Sequence, residues 1–90
     1  MTLKEVGIII GKKLKTRYRP IADSPIIISF DSTEVREGIA LLVGAYGKGM
    51  TVTEAKKDYC KRISGQYLII DAMLYARRKE IQLPPKITVK

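Results

Sequence analysis

Residues Lys12 to Arg19 form the densest group of charged side chains in the chain. The segment contains five cations and no acidic residue. Arginine binds phosphate through a forked pair of N–H donors and lysine through a mobile ammonium group. If the segment is a strand, alternate side chains lie about 6.6 Å apart on one face. The cations on that face would be Lys13, Lys15, Arg17 and Arg19. This pattern predicts contact with a phosphate backbone.

Lys12 and Lys48 complete the predicted binding set. Lys12 directly precedes the row, and Lys48 lies in the glycine-rich segment from Gly44 to Thr51. Glycine allows phosphates to approach the backbone amides closely. Tyr46, in the same segment, is the aromatic residue that we expect to be exposed for stacking on a base.

The fragment Val43 to Met50 resembles the loop of KH RNA-binding domains, with Gly44 and Gly47 as the two glycines of the GxxG turn. The resemblance implies a turn between two helices that clamps a nucleic-acid backbone. The alternative is a helix C-terminus followed by a flexible turn.

The charge balance of the whole chain favours an anionic partner. The 90 residues include 17 Lys and Arg against 9 Asp and Glu, a net charge of +8. This excess attracts polyanions at modest salt. A second basic group on predicted helices would extend the surface; it comprises Lys56, Lys57, Lys61, Arg62, Arg77, Arg78 and Lys79. We therefore expect nucleic-acid binding, with DNA and RNA both open. The alternative for the basic row is protection of a strand edge by like charges.

Catalytic chemistry has little support in the sequence. The chain has no histidine and one cysteine, Cys60. A serine or cysteine nucleophile would therefore lack its usual base, and common zinc sites would lack ligands. We expect no enzyme activity, no metal and no cofactor. The longest apolar stretches fall far short of the roughly 20 residues that span a membrane. The start of the chain lacks a secretory signal, so we expect a cytoplasmic protein.

We expect one α+β domain covering residues 1–90. Its predicted elements are an N-terminal antiparallel β-hairpin, two or three α-helices and a short C-terminal strand. The hairpin has a long first strand, from Val6 through Arg19 with a bend at Gly11, a turn at Ala22–Pro25, and a second strand at Ile26–Phe30. A core this small allows a homodimer to supply part of the stability.

The helices are predicted from capping signals and apolar spacing. Asp31 and Glu34 have capping-box spacing before a helix at 32–46. Thr51 and Glu54 match the pattern more strictly, before a helix at 52–63 that ends at Ser64-Gly65. The segment 66–79 is ambiguous, and we favour a helix over a strand. Residues 81–83 and 87–89 suggest a short edge strand interrupted by prolines.

The apolar helix predicted at 66–79 supports an alternative function. It could contact a partner protein or a second copy, which would make the chain an interaction or assembly module. The three predicted helices also have the order of a helix-turn-helix. The third helix would then be the recognition helix, but its apolar side chains suit a major groove poorly.

Overall fold

A computed structural model describes residues 1–20, 23–37 and 41–89 of the chain. Within these ranges there are two helices, α1 (Leu3–Ile10) and α2 (Val52–Ile63). The strands are β1 (Leu14–Tyr18), β2 (Ile26–Phe30), β3 (Thr33–Glu37), β4 (Leu41–Val43), β5 (Gly47–Gly49), β6 (Tyr67–Ile70) and β7 (Lys79–Gln82). No helix in the described residues is long and apolar enough to cross a membrane.

The strands form two antiparallel sheets. The first has the order β1-β2-β5 and the second has the order β4-β3-β6-β7. The chain therefore leaves the first sheet after β2, forms β3 and β4 in the second, and returns for β5. The fold is α+β with more sheet than we predicted, and a helix precedes the strands.

The predicted first strand is wrong over its N-terminal part. Thr2 and Glu5 form a reciprocal capping box, and Gly11 ends α1 with a left-handed φ of 68°. These local signals outweigh the strand preference of the isoleucines Ile8 to Ile10. The strand is confined to Leu14–Tyr18, where it pairs with β2 as the predicted hairpin. Ala22 of the predicted turn lies outside the described residues.

The predicted helix at 32–46 is also wrong. Ser32 takes a left-handed φ of 52°, and β3 and β4 pair from Val35–Val43 to Glu37–Leu41. The Asp31 carboxylate, expected to cap a helix, instead pairs with Lys15 at 3.0 Å. Residues 38–40 of that helix lie outside the described residues. Gly44 therefore lies between β4 and β5, and Gly47 lies within β5. The KH resemblance, which implies a turn between two helices, does not hold.

The segment 66–79 is strand and loop where we predicted a helix. Leu68, Ile69 and Ile70 are buried in β6, which pairs with both β3 and β7. Turns at residues 71–77 then connect β6 to β7. Burial on both faces of a central strand explains a continuous apolar run without helical spacing. The helix-turn-helix arrangement fails for the same reason.

The helix predicted at 52–63 is confirmed in α2. The Thr51 hydroxyl accepts a hydrogen bond from the Glu54 backbone N–H at 3.1 Å, and Gly65 follows with a left-handed φ of 72°. The buried face of α2 packs on β2 and β5. The core cluster combines residues of α1, β2, α2, β6 and the C-terminal segment: Leu3, Val6, Ile28, Phe30, Ala55, Tyr59, Cys60, Ile63, Leu68, Leu83 and Ile87.

Two glycines allow α2 to pack closely against the first sheet. A Cβ built on Gly49 would lie 2.5 Å from the Ala55 backbone nitrogen, and one on Gly47 would overlap Ala55 and Tyr59. Both glycines are buried, and Lys48 between them is exposed. Because strand side chains alternate, this packing directs Lys48 to the opposite, outer face.

Candidate functional site

The first sheet has an inner face against α2 and an outer face toward solvent. Ile28 and Phe30 of β2 are buried on the inner face. On β1 only Leu14 packs against the core, and Thr16 and Tyr18 are exposed. The reason is that α2 crosses β2 and β5 and leaves the end of β1 uncovered.

The pairing register brings cations from both edge strands onto the outer face. Arg17 lies opposite Ile27, and Ile27 lies opposite Lys48. These three residues therefore form one row across three strands. Lys15 lies opposite Ser29 on the same face, one step along β1.

Arg19 and Tyr46 extend this outer surface. Arg19 follows β1, and its backbone N–H donates to the Pro25 carbonyl at 2.8 Å. Together with Arg17, it lines a shallow cleft of about 250 Å³ that also includes Tyr46. The Lys48 ammonium lies 5.3 Å from the centre of the Tyr46 ring, within cation–π range.

We name this surface the basic sheet face. It comprises Lys15, Arg17, Arg19, Tyr46 and Lys48. The structure thus places four of the six predicted binding residues together, along with the tyrosine proposed for stacking.

One of its cations is paired, through an exposed contact. Lys15 lies 3.0 Å from Asp31, with half-exposed side chains on both partners. The hydrogen bond from Lys15 lowers the pKa of the Asp31 carboxyl. Surface pairs of this kind are weak, so a phosphate can compete for the lysine. Within the described residues, Arg17, Arg19 and Lys48 form no ion pair.

The other two predicted residues lie elsewhere. The Lys12 ammonium contacts Asp71 at 2.8 Å, and both side chains are largely buried. It therefore links the turn after α1 to the end of β6. Lys13 precedes β1 and lines a different cleft, with Lys4 and Lys56.

The second basic group does not form one surface. Arg62 pairs with Asp58 at 3.2 Å along α2. Lys57 and Lys61 line a groove beside residues 85–89. Arg77 and Arg78 lie in the loop between β6 and β7. The predicted extension of the binding surface onto a basic helix is therefore not continuous.

Asp58 helps to fix the strand that carries Lys48. Its carboxylate accepts a hydrogen bond from the Lys48 backbone N–H at 2.9 Å. Partial burial disfavours the charged form, but this bond and the Arg62 guanidinium outweigh it and lower the pKa of Asp58. The result is a polar link between α2 and β5.

A neighbouring cleft of about 330 Å³ separates the basic sheet face from the loop after β6. Lys15, Arg17 and Tyr46 line one side, and Met73 and Leu74 line another. Sequence reasoning missed Ile27, Ser29 and this loop as parts of the surface. Strand alternation would have placed Ile27 and Ser29 on one face, but no local signal places the loop there.

The described residues show no group of three or more metal-ligating side chains. Cys60 is buried among apolar residues, and burial raises the pKa of its thiol. Cys60 is therefore not an activated nucleophile, and the candidate site in the described part of the chain is the charged surface. No protein-family model, curated protein or solved structure matches this chain.

Proposed function

We propose that this protein binds single-stranded nucleic acid, DNA or RNA, through the basic sheet face. The observation that carries this proposal is the row Arg17–Ile27–Lys48 across the outer face of the first sheet. Two strand spacings separate the outer members by about 10 Å at the backbone. The face thus has cations on both edge strands and the uncharged Ile27 between them.

Phosphates would contact the cations along the basic sheet face. Arg17 and Arg19 offer forked donors, and Lys15 and Lys48 offer mobile ammonium groups. Alternate positions on β1 space the side chains about 6.8 Å apart. Because three of these cations form no ion pair among the described residues, little internal charge pairing must be broken for binding.

Tyr46 favours a single strand over a duplex. Tyr46 is 39% exposed, and its ring lies beside Lys48 on the basic sheet face. Unpaired bases stack on such rings with little sequence preference, whereas the bases of a duplex are already stacked. Affinity would therefore come from phosphate contacts and one stacking platform.

Edge protection explains these residues less completely. Like charges on β1 and β5 would suffice to prevent pairing with another sheet. That role requires neither a shared face for the cations nor an exposed tyrosine between them. Nucleic-acid binding uses both features. We also propose that the protein is cytoplasmic and non-catalytic.

Fluorescence anisotropy tests this function directly. Labelled single-stranded RNA, single-stranded DNA and duplex DNA of equal length are titrated with protein over a series of salt concentrations. Four phosphate contacts to a single strand give a slope of about −3 in log affinity against log salt. A duplex preference would contradict the stacking role of Tyr46, and absence of binding at low salt would contradict the function.

A second candidate function is protein contact through the loop between β6 and β7. Met73 is 91% exposed and Tyr75 is 98% exposed. Large apolar side chains this exposed often mark interaction sites. This observation supports the interaction or assembly role on a loop, since the helix that first suggested it does not form. Sedimentation velocity of the wild type and a Met73→Ser/Tyr75→Ser variant tests it, with self-association expected only in the wild type.

A further inference from the structure

The cleft that Lys4, Lys13 and Lys56 line lies on the side of the molecule formed by α1. Its volume is about 550 Å³, and α1, the turn after it and α2 contribute to its walls. Phe30 and Leu3, both buried, form part of its floor, and Leu14 and Val89 add apolar surface. Ile8 stands at its edge with 72% of its surface exposed.

Lysines surround this apolar floor. They are Lys4, Lys12, Lys13 and Lys56. No acidic residue lines the cleft among the described residues. We name it the lysine-rimmed cleft.

Three of the four lysines have no ion-pair partner among the described residues. Lys12 is paired with Asp71 at 2.8 Å. In the described part of the chain, Lys4, Lys13 and Lys56 form no ion pair. The acid of α1, Glu5, is held at the helix start by its hydrogen bonds with Thr2.

Gly7 keeps the floor of the cleft open. A Cβ at this position would lie 3.1 Å from both the Phe30 ring and the Lys12 carbonyl oxygen. Glycine within a helix costs roughly 0.5–1 kcal/mol relative to alanine. Here it lets α1 approach Phe30 closely and leaves no side chain over the floor.

We propose that the lysine-rimmed cleft binds an acidic amphipathic segment of a partner protein. Such a segment would place apolar side chains on the floor and carboxylates against Lys4, Lys13 and Lys56. The charges come from three separate chain segments, which suits several carboxylates around an apolar centre better than one acidic head group. Nucleic acid would leave the apolar floor unused. This site goes beyond the proposed nucleic-acid function and uses none of the basic sheet face.

The probe is a short fluorescein-labelled peptide with leucines at helical spacing and glutamates between them. Its control is a peptide of the same composition with the leucines distributed evenly around the helix. Anisotropy should show binding of the amphipathic peptide and at least about tenfold weaker binding of the control. Equal affinity for both peptides would overturn the proposal, because it would reveal charge attraction alone.

Two variants locate the site. Lys4→Glu/Lys13→Glu should weaken peptide binding at least about tenfold, and Ile8→Ser should weaken it several-fold. The matched control is Lys57→Glu/Lys61→Glu, which changes the net charge equally in a different groove. Circular dichroism checks that each variant is folded. Similar losses in both charge variants, or no binding by the wild type, would overturn the proposal.

Two further measurements distinguish peptide binding at this cleft from nucleic-acid binding and from membrane binding. Single-stranded RNA binding should be unchanged within about twofold in Ile8→Ser, so failure of one function is distinguishable from failure of the other. Vesicles containing anionic lipid should not displace the peptide from the cleft. Competition by vesicles that depends on Ile8 would assign the cleft to a membrane surface and overturn the peptide proposal.

Discussion

The Tyr59 hydroxyl accepts a hydrogen bond from the Phe30 backbone N–H at 3.1 Å, and the two rings pack edge to face with centres 5.7 Å apart. This contact joins α2 to β2, the central strand of the first sheet. Burial raises the pKa of the tyrosine, so its hydroxyl stays protonated at neutral pH. The basic sheet face depends on this packing because it is the reverse side of the same sheet.

Removing the Tyr59 hydroxyl should destabilise the protein without disturbing its surface. Tyr59→Phe leaves the buried Phe30 N–H without its partner, at a cost of about 1–3 kcal/mol in the free energy of unfolding. Tyr18→Phe, at a residue that is 67% exposed, is the control and should change stability by less than about 0.5 kcal/mol. Urea denaturation measures both. Equal stabilities would show that the hydrogen bond contributes nothing.

Gly49→Ala should be more damaging than Gly44→Ala. The added Cβ at Gly49 meets the backbone of α2, whereas nothing lies within 4 Å of a Cβ at Gly44. We expect a loss of about 2–3 kcal/mol for the first and less than about 0.5 kcal/mol for the second. Thermal unfolding compares them. Comparable losses at the two positions would contradict the close packing of β5 against α2.

The Asp58 link should make stability depend on pH in the acid range. Its pKa is lower in the folded protein than in the unfolded chain, so its contribution is present above the unfolded value of about 4 and is lost as the pH falls through the folded value. Asp58→Asn should therefore cost about 1–2 kcal/mol at neutral pH and much less once the pH is below the folded value. Asp23→Asn, at an exposed turn residue, is the control. Urea denaturation measures the free energy of unfolding of both variants. A loss in Asp58→Asn that does not change with pH would contradict a stabilising role for the Asp58 charge.

Cys60 should react slowly with thiol reagents. It is 4% exposed, and burial raises the pKa of its thiol, which reduces the thiolate fraction. We expect modification of the folded protein at least about tenfold slower than in denaturant. Absorbance of the released chromophore follows the reaction. Equal rates in the two conditions would mean that the packing of α2 against the core does not bury the thiol.

Local signals explain which elements the sequence predicted correctly. Thr51 with Glu54 marked the start of α2, and alternating cations and β-branched residues marked the β1–β2 hairpin. The same type of signal, Thr2 with Glu5, marked α1, but the isoleucine run suggested a strand. The preference of isoleucine for strands is weak compared with the stabilisation of a helix that is capped at both ends.

The remaining errors come from contacts between distant parts of the chain. The spacing of Asp31 and Glu34 matched a helix cap, yet β3 pairs with β6 more than thirty residues away. Likewise, the cation row was visible in the sequence, but Lys48 joins it only through the pairing of β5 with β2. Lys12 directly precedes the row in the sequence, but it is held by Asp71. The strand and helix propensities of single residues do not reveal such contacts between distant segments.

The most direct test of the central claim compares two triple variants of equal charge. Arg17→Ala/Arg19→Ala/Lys48→Ala removes three cations of the basic sheet face, and Lys57→Ala/Lys61→Ala/Lys86→Ala removes three from the groove beside α2. We measure the salt dependence of single-stranded RNA and DNA binding for both. The first variant should reduce the slope of log affinity against log salt from about −3 to about −1, and the second should leave it near −3. Equal slopes in the two variants would show that the chain binds by net charge alone and would contradict a site on this face.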